Sequence, residues 1–330
     1  MNICLIGTSN SIIANGYTLG IQETDGIKSL EKNSLGASPS VIIPYFASEI
    51  DFSRYDWLVM DTAINDRNYY IHKSINAKQI REFVEYGIFR ALEKKCKPIL
   101  LLMPSRKAFN RETISGIMYH KLAKEYKVPI FDGFEFTRKY AEKNNLKIAD
   151  CFKDDFHLKP EVARALGNAV AELMLNFREE MPISPKKTIF RVCRLPELSK
   201  AFMTRRNSLI TREFAVIDKH TNLEIAIGKN EEIYGLTYNC ANTFGNIKIN
   251  TEPPTIKSLT TKYIEERTNF LFIAVPFTTP PKNINEIAKI EISNLEPTES
   301  SRFESFTLKE THTPLLEIAV YYTHLTLPTP

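Results

Sequence analysis

The chain has 330 residues, of which 43% are hydrophobic and 11% aromatic, and its formal net charge is +4. This length and composition are typical of about two globular domains with packed cores. Basic and acidic residues are interspersed along the chain, so it lacks the basic block that is typical of proteins that bind nucleic acid.

The cysteines and the apolar runs bear on the redox compartment and on membrane targeting. The five cysteines are odd in number and scattered, without a CxxC motif or a Cys/His cluster. This pattern predicts neither a disulfide framework nor a zinc site and fits a reducing compartment. Met1 leads straight into a short apolar run without a cationic start, and the longest run, Ile99–Met103, has the length of a buried strand. We therefore expect a cytoplasmic protein without a signal peptide or a membrane span.

Short apolar runs alternate with amphipathic helical patterns over the first 180 residues. The predicted strands are Ile3–Ile6, Trp57–Met60, Ile99–Met103 and Pro129–Phe131. Apolar residues recur at helical spacing from Ile80 to Leu92, and again from Val162 to Phe177 in a helix that Pro160 opens. This alternation predicts a parallel sheet that helices cover on both faces. Ligands bind such sheets at the carboxyl ends of the strands.

The character of the sequence changes at residues 181–186, which we interpret as a linker. Beyond it helical periodicity is nearly lost, and turn signals separate short apolar runs. The predicted strands there are Phe190–Cys193, Phe214–Ile217, Leu223–Ile227, Ile247–Ile249, Phe270–Val275 and Ile290–Ile292. The sequence therefore predicts a first domain over residues 1–180 and an all-β, sandwich-like accessory domain over residues 187–319.

The last residues of the chain have an unusual composition. The stretch from Tyr321 to Pro330 is similar to translated sequencing-adapter sequence, which favours a non-native tail over residues 320–330. On that interpretation the β-domain is truncated and His324 has no functional meaning. The alternative is an ordinary tail that ends in proline.

Two polar motifs of the first domain supply the residue types of a nucleophile and its base. Ser9 stands where the first strand breaks into a helix, and Gly7 allows a sharp turn there. Asp154 precedes His157 by three positions, just before the last helix of the domain, so its carboxylate can orient the imidazole. Serine, histidine and aspartate in these positions predict a triad for acyl transfer.

Each of these residues also has a structural interpretation. Ser9 or Asn10 could simply cap the next helix, which both residue types do well. Ser11 is a competing nucleophile that lies further into that helix. Asp155 could be a rival orienter of His157 or could cap the following helix, and charged loops often contain an isolated D-x-x-H pattern.

Asn65 and Gly36 are the candidate donors to a developing oxyanion. Asn65 closely follows the strand Trp57–Met60, and its side-chain amide can donate at the strand end. Gly36 offers a backbone N–H that no side chain obstructs. The structural alternatives are a plain turn for Asn65, because Asn-Asp pairs favour turns, and an ordinary loop glycine for Gly36.

Together these positions resemble the SGNH, or GDSL-type, hydrolase superfamily. The family's sequence blocks correspond here, in the same order, to Gly7–Ser9, Gly36, Ala63–Asp66 and Asp154–His157. The resemblance covers about residues 1–180 and implies a flavodoxin-like α/β/α sandwich. It also implies the roles of nucleophile for Ser9, base for His157 and orienter for Asp154. The implied oxyanion hole consists of the Ser9 N–H, the Gly36 N–H and the Asn65 side chain.

Two positions depart from the family pattern. Thr8 replaces the usual Asp of the first block, and Ala63 replaces the usual Gly of the third block. Neither departure removes a catalytic atom. The segments Gly7–Ser11 and Ser34–Ser38 also resemble a subgroup that is associated with bacterial surface-polysaccharide gene sets.

These residues and the resemblance predict a serine ester hydrolase that removes an acyl group, expected to be acetyl, from a carbohydrate. The expected substrate is an acylated carbohydrate or a small ester, and hydrolysis needs neither a metal nor an organic cofactor. The same residues would give a polysaccharide O-acetyltransferase if a sugar hydroxyl accepted the acyl group. A non-catalytic glycan-binding or scaffold protein is a further alternative, which the departures at Thr8 and Ala63 favour.

Other classes have less support in the sequence. The first strand–helix turn contains no glycine-rich nucleotide-binding motif, and the six histidines show no metal-ligand spacing. The aromatic residues of the second domain could line a sugar-binding surface or pack its core. They are Tyr234, Tyr238, Phe244, Tyr263, Phe270, Phe272 and Phe277.

Overall fold

The structure is a computed structural model that describes residues 1–181, 188–206, 210–228, 231–251, 253–261, 270–281, 287–299 and 314–326. The chain divides into two compact units. The first contains Met1–Asn68 and Ala77–Lys186, and the second contains Tyr69–Asn76 and Lys187–Pro330. The predicted linker lies outside the described residues except for Met181, so the predicted domain bounds stay a prediction. Within the described ranges, no helix is long and apolar enough to cross a membrane.

A parallel sheet of five strands forms the centre of the first unit. The strands are β1 (Asn2–Gly7), β2 (Ser29–Ser34), β3 (Trp57–Asp61), β4 (Lys97–Leu102) and β5 (Ile130–Asp132). Their order is β2-β1-β3-β4-β5, so the predicted flavodoxin-like fold is confirmed. The sequence did not predict β2, because this edge strand reads Ser-Leu-Glu-Lys-Asn-Ser and lacks an apolar run.

Helices follow or precede each strand of this sheet. They are α1 (Ser9–Ile12), α2 (Tyr17–Glu23), α3 (Ile42–Glu49), α4 (Ala63–Ile71), α5 (Ala77–Leu92), α6 (Ile114–Tyr126), α7 (Gly133–Lys143) and α8 (Pro160–Asn176). Short 3₁₀ turns cover Phe52–Arg54, Arg106–Ala108, Ile148–Cys151 and Pro196–Leu198. The helices α2, α7 and α8 pack together, and so do α3, α5 and α6.

Successive residues of the strands point to opposite faces of the sheet, and both faces are buried. Ile3 and Leu5 of β1 belong to the core cluster that includes residues of α2 and α8. Met60 of β3 lies instead against Gly87 of α5, beside Ile43 of α3. This double burial explains why β1, β3 and β4 appear in the sequence as continuous apolar runs.

Two glycines allow α2 and α8 to cross at short distance. A Cβ atom on Gly20 would lie 2.0 Å from the carbonyl oxygen of Arg164, and one on Gly167 would lie 1.9 Å from that of Tyr17. A larger residue at either position would therefore force the helices apart. Because α2 follows the end of β1 and α8 follows the loop Asp154–His157, this crossing holds the two polar motifs together.

The second unit is built from antiparallel sheets, which confirms the predicted all-β domain. Its strands are β6 (Thr188–Arg194), β7 (Phe202–Arg206), β8 (Thr211–Ile217), β9 (Leu223–Ala226), β10 (Glu231–Asn239), β11 (Asn246–Ile249), β12 (Thr255–Ser258), β13 (Phe272–Pro276), β14 (Ile287–Ser293) and β15 (Leu316–Thr326). One sheet has the order β13-β10-β15-β8-β7, with β6 also paired to β15, and the other has the order β12-β11-β14-β9.

The second unit also includes a segment from the first half of the chain. This segment, Tyr69–Asn76, contains the end of α4 and the residues that follow it. Thr278 forms two hydrogen bonds with it. The Thr278 hydroxyl donates to the carbonyl oxygen of Lys73 at 2.9 Å, and the Asn76 side chain donates to the Thr278 carbonyl at 3.2 Å.

Most of the aromatic residues considered for a sugar surface are buried. Tyr234, Tyr238, Phe270, Phe272 and Phe277 are at most 6% exposed. Their burial favours the core-packing interpretation, whereas Tyr263 lies outside the described residues. The predicted tail begins within β15, where the backbone of Val320–Thr326 pairs with β6.

Candidate active site

The end of β1 places Ser9 at the carboxyl edge of the sheet. Gly7 is the last residue of β1, and a Cβ atom on it would lie 2.6 Å from the hydroxyl oxygen of Ser11, so the turn needs a glycine. Ser9 is the first residue of α1, and the preceding Thr8 makes no side-chain capping bond. The Ser9 N–H belongs to the first turn, which has no acceptor within the helix.

Three sequence-predicted residues lie in hydrogen-bond contact at this edge. The Ser9 hydroxyl oxygen is 3.1 Å from Nε2 of His157. Nδ1 of the same ring is 2.9 Å from Oδ1 of Asp154. Both distances fall in the range that proton transfer between a nucleophile, its base and an orienting carboxylate requires.

The loop that carries His157 is held by the side chain of Asp154. Its Oδ1 accepts the backbone N–H of Phe156 at 2.8 Å and that of His157 at 2.9 Å. The loop closes where Lys153 donates its N–H to the His157 carbonyl at 2.9 Å. The D-x-x-H spacing therefore has a local cause, because one carboxylate shapes the turn and also faces the ring that the turn presents.

The same contacts keep the Asp154 carboxylate ionised. Partial burial acts to raise its pKa, but the hydrogen bonds from the Phe156 N–H and from His157 outweigh burial. The net pKa of Asp154 is therefore below its usual value. An ionised carboxylate at Nδ1 leaves Nε2 free to accept the proton of Ser9 and stabilises the imidazolium that forms.

The candidate oxyanion donors are Asn65 on α4 and Gly36 in the loop before α3, and the buried Asp66 carboxylate connects these two segments. One N–H of the Asn65 amide donates to the Ser38 carbonyl at 3.0 Å, which leaves its second N–H for a ligand. Asp66 accepts the Ser40 N–H at 2.7 Å and thereby ties the loop of Gly36 to α4. Within residues 1–181 no atom lies within 4 Å of a Cβ built on Gly36, so its backbone is open to a ligand.

The structure separates the alternatives that the sequence left open. Ser11 is fully buried, and its hydroxyl donates to the Thr8 carbonyl at 2.6 Å and lies 2.7 Å from the Ser34 hydroxyl. Asp155 binds Arg106 and Lys107, and their hydrogen bonds lower its pKa. Its side chain therefore anchors the loop to the Arg106–Ala108 turn, whereas the His157 ring contacts Asp154.

Two buried carboxyl groups lie near the site: Asp66, which belongs to the third sequence block, and Asp61, which was not considered from the sequence. Asp61, the last residue of β3, accepts the Tyr17 hydroxyl at 2.9 Å, and its Oδ1 has no partner among the described residues. Burial raises its pKa to about 8. Burial also raises the pKa of Asp66 to about 7, against bonds from Ser40, Thr62 and Tyr119. The sequence does contain a sign of Asp61, because the apolar run of β3 ends in this aspartate.

Similarity to known proteins is found in the structure and not in the sequence. Neither a protein-family model nor a curated protein matches the sequence. Solved structures do match, among them a two-domain esterase (CEX) active on acetylated mannans. It has a TM-score of 0.64 and 11% identity, over 98% of this chain and 91% of that chain.

The same esterase co-crystallised with mannopentaose matches with a TM-score of 0.61 and 11% identity, over 100% of this chain and 92% of that chain. A member of the lipolytic protein G-D-S-L family from Veillonella parvula DSM 2008 matches with a TM-score of 0.41 and 14% identity, over 54% of this chain and 100% of that chain. At such identities the likeness to the two-domain esterase shows the fold. The chain has this two-domain fold, and its first unit is the α/β/α sandwich that the SGNH resemblance implies.

Proposed function

We propose that the protein is an SGNH-type serine esterase that removes an acetyl group from a carbohydrate. The observation that carries this proposal is the contact chain from Ser9 through His157 to Asp154, with distances of 3.1 and 2.9 Å. The similarity to a two-domain esterase that is active on acetylated mannans supports the substrate class. These comparisons support the fold and the class, and the residues of this chain support the mechanism.

In the first half of the reaction, Oγ of Ser9 attacks the acyl carbon while Nε2 of His157 takes the hydroxyl proton. The carbonyl oxygen becomes an oxyanion, and it accepts bonds from the N–H groups of Ser9 and Gly36 and from the free amide N–H of Asn65. The imidazolium, held by Asp154, then gives its proton to the departing sugar oxygen. An acetyl-serine and a free sugar hydroxyl remain.

In the second half, water replaces the sugar. His157 takes a proton from the water as it attacks the acyl carbon, and the same donors hold the second oxyanion. The C–O bond to Ser9 breaks, the serine oxygen regains a proton from the imidazolium, and acetate is released. A sugar hydroxyl in place of water would give the O-acetyltransferase reaction with the same residues.

Labelling with a fluorophosphonate probe tests the nucleophile. We expect the wild type and the matched control Ser53→Ala, which changes an exposed serine outside the site, to be labelled and to hydrolyse 4-nitrophenyl acetate. Ser9→Ala loses both signals, with circular dichroism used to verify that it is folded. A folded wild type without either signal would contradict the proposal and favour a binding role.

The acceptor is tested with an acetylated manno-oligosaccharide. We expect released acetate to equal the acetyl groups lost from the sugar, because water is the acceptor. If a second oligosaccharide lowers the yield of acetate and itself becomes acetylated, the reaction is a transfer.

A further inference from the structure

Tyr119 of α6 is a fully buried tyrosine whose hydroxyl contacts the segment that carries Asn65. Its hydroxyl oxygen lies 2.6 Å from that of Thr62 and 3.4 Å from Oδ2 of Asp66. Thr62 stands between β3 and α4, and Asp66 lies in the first turn of α4. Buried polar groups need hydrogen bonds to offset their loss of water, so these contacts are strong constraints on the local structure.

The three groups form a chain of hydrogen bonds that ends on the carboxylate. Each hydroxyl has a single proton to donate. Thr62 donates its proton to Oδ2 of Asp66 at 3.2 Å. The proton of Tyr119 therefore supplies the 2.6 Å bond to the Thr62 oxygen, which is the shorter of its two contacts. Tyr119 thus orients the Thr62 hydroxyl, and Thr62 holds the carboxylate.

The Asp66 carboxylate in turn bonds the loop that carries a candidate oxyanion donor. Its Oδ1 accepts the N–H of Ser40, which lies on the same loop as Gly36, at 2.7 Å. The neighbouring Asn65 donates to the Ser38 carbonyl of that loop at 3.0 Å. Two hydrogen bonds therefore join the start of α4 to this loop, so the position of the carboxylate affects both the Asn65 amide and the Gly36 N–H.

Neutral donors, and not a cation, hold Asp66 in place. Burial raises the pKa of this carboxyl, whereas the bonds from Ser40, Thr62 and Tyr119 lower it. Hydrogen bonds in a buried network strengthen one another, so the loss of one donor weakens the others. Removal of the Tyr119 hydroxyl should therefore loosen the bond between Asp66 and Ser40 as well.

We propose that Tyr119 is a positioning residue of the oxyanion hole, which acts through Thr62 and Asp66 and touches no reacting atom. The donors of the hole meet a charge that develops only in the transition state, so their displacement lowers kcat and leaves KM nearly unchanged. A displacement of about 1 Å can lower a rate about a hundredfold. This inference rests on the proposed function, because the oxyanion forms only if Ser9 attacks an ester.

The test removes the tyrosine hydroxyl at two places on α6. Tyr119→Phe should lower kcat for 4-nitrophenyl acetate by about tenfold and change KM by less than about twofold. The matched control is Tyr126→Phe, because Tyr126 is also fully buried and its hydroxyl donates to buried Glu85 of α5, outside the site. This control should lose comparable stability and retain the kcat of the wild type. Equal kcat in Tyr119→Phe and the wild type, or equal losses in the two variants, would overturn the proposal.

Variants of Thr62 test the same chain at its next member and serve if Tyr119→Phe does not fold. Thr62→Val removes the hydroxyl and should lower kcat by about tenfold, whereas Thr62→Ser retains the hydroxyl and should stay within about threefold of the wild type. The matched control is Thr137→Val, because the hydroxyl of this buried threonine donates to the Gly133 carbonyl of α7 at 2.7 Å. A Thr62→Val variant as active as the wild type would overturn the proposal.

Hydrogen–deuterium exchange of the Ser40 amide separates this proposal from the proposed function. We expect exchange about tenfold faster in Tyr119→Phe than in the wild type and unchanged in Tyr126→Phe, because the bond to Asp66 protects this amide. Ser9-dependent turnover that Tyr119→Phe does not alter would support the esterase and overturn the positioning role. A folded wild type without Ser9-dependent turnover would contradict the esterase, and the exchange of Ser40 would then decide whether Tyr119 holds the loop.

Discussion

The buried carboxyl groups at the sheet edge of the first unit differ from buried Glu317 of the second unit, although buried Glu85 of the first unit does pair with Arg81. In the first unit, Asp61 and Asp66 are fully buried without a cationic partner, and burial raises the pKa of both. In the second unit, fully buried Glu317 binds Arg205 through two bonds and accepts from Asn239 at 2.7 Å. The first unit therefore holds neutral or weakly ionised polar groups at the candidate site, whereas the second uses an ion pair within a sheet.

This difference arises because the first unit has a parallel sheet and the second unit has antiparallel sheets. The strands of the parallel sheet end at one edge, so their terminal polar residues converge beneath the segment of Ser9. Hydroxyl groups donate to both carboxyls and the Ser40 N–H donates to Asp66, whereas Oδ1 of Asp61 has no partner among the described residues. In the antiparallel sheet, Arg205 on β7 and Glu317 on β15 stabilise the packing, so removal of either partner should affect stability first.

The largest expected effect concerns chemistry in the first unit. Asp154→Asn should lower kcat for 4-nitrophenyl acetate by about a thousandfold or more, because the imidazole loses its orienting anion. Asp155→Asn is the matched control, since this neighbouring carboxylate binds Arg106 and Lys107. Steady-state kinetics on both variants checks the prediction. Similar losses in the two variants would show that loop anchoring, not the triad, limits the rate.

The next effect concerns stability in the second unit. Glu317→Ala should lower the free energy of unfolding by about 3 kcal/mol, because it leaves Arg205 and Asn239 without their buried partner. Glu291→Ala is the control, since this carboxylate pairs with Lys248 in a partly exposed position and should cost under about 1 kcal/mol. Hydrogen–deuterium exchange of the β15 amides measures both. Equal protection in the two variants would contradict the proposed contrast.

A smaller effect tests the helix crossing that holds the site together. Gly167→Ala should lower the free energy of unfolding of the first unit by about 2 kcal/mol, because the new methyl group overlaps the Tyr17 carbonyl. In Gly116→Ala the nearest atom is a side-chain oxygen at 3.1 Å, so this variant should be nearly neutral. Denaturant titration followed by the fluorescence of Trp57, the only tryptophan, reports this unit. An unchanged midpoint for Gly167→Ala would contradict the close crossing.

The smallest effect, taken per pH unit, is a difference in the pH dependence of stability. Asp61 has an ordinary pKa of 3.8 and a folded pKa of about 8, so the folded state binds more protons than the unfolded state between these values. The contribution of Asp61 to stability is therefore full below the lower value and is lost as pH rises through the upper one, by at most about 1.4 kcal/mol per pH unit.

The measurement for this effect compares the wild type with Asp61→Asn by Trp57 fluorescence in denaturant. As the pH rises from 5 to about 8, the free energy of unfolding of the wild type should fall relative to that of the variant. Parallel profiles would mean that Asp61 titrates near its ordinary value and that the buried carboxyls of the two units do not differ as described.

Elements with a strong local pattern could be predicted from the sequence. Continuous apolar runs marked β1, β3 and β4, and helical spacing marked α5 and α8. The edge strand β2 has no such pattern, because parallel pairing with β1 stabilises its mostly polar residues. The sequence predicts a tail from residue 320 onward and so divides strand β15, because it does not show the pairing of this strand with β6, β8 and β10.

The sequence by itself determined the chemical groups of the candidate site and their order along the chain. Ser9, Asn65 and the Asp154–His157 motif each stand beside a predicted strand or helix, and turn chemistry such as the Asp154 loop is local. Only the tertiary structure decided which groups meet. It brings Ser9 and His157 to 3.1 Å, although 148 positions separate them.

The physical reason is that contact across a sheet depends on strand order and helix packing, which no local pattern contains. The crossing of α2 and α8 at Gly20 and Gly167 brings together the helices that follow Ser9 and His157 along the chain. The burial that raises the pKa of Asp61 arises in the same way. Proton affinity and charge pairing depend on the surroundings that the fold creates, so they follow from the structure and not from residue type.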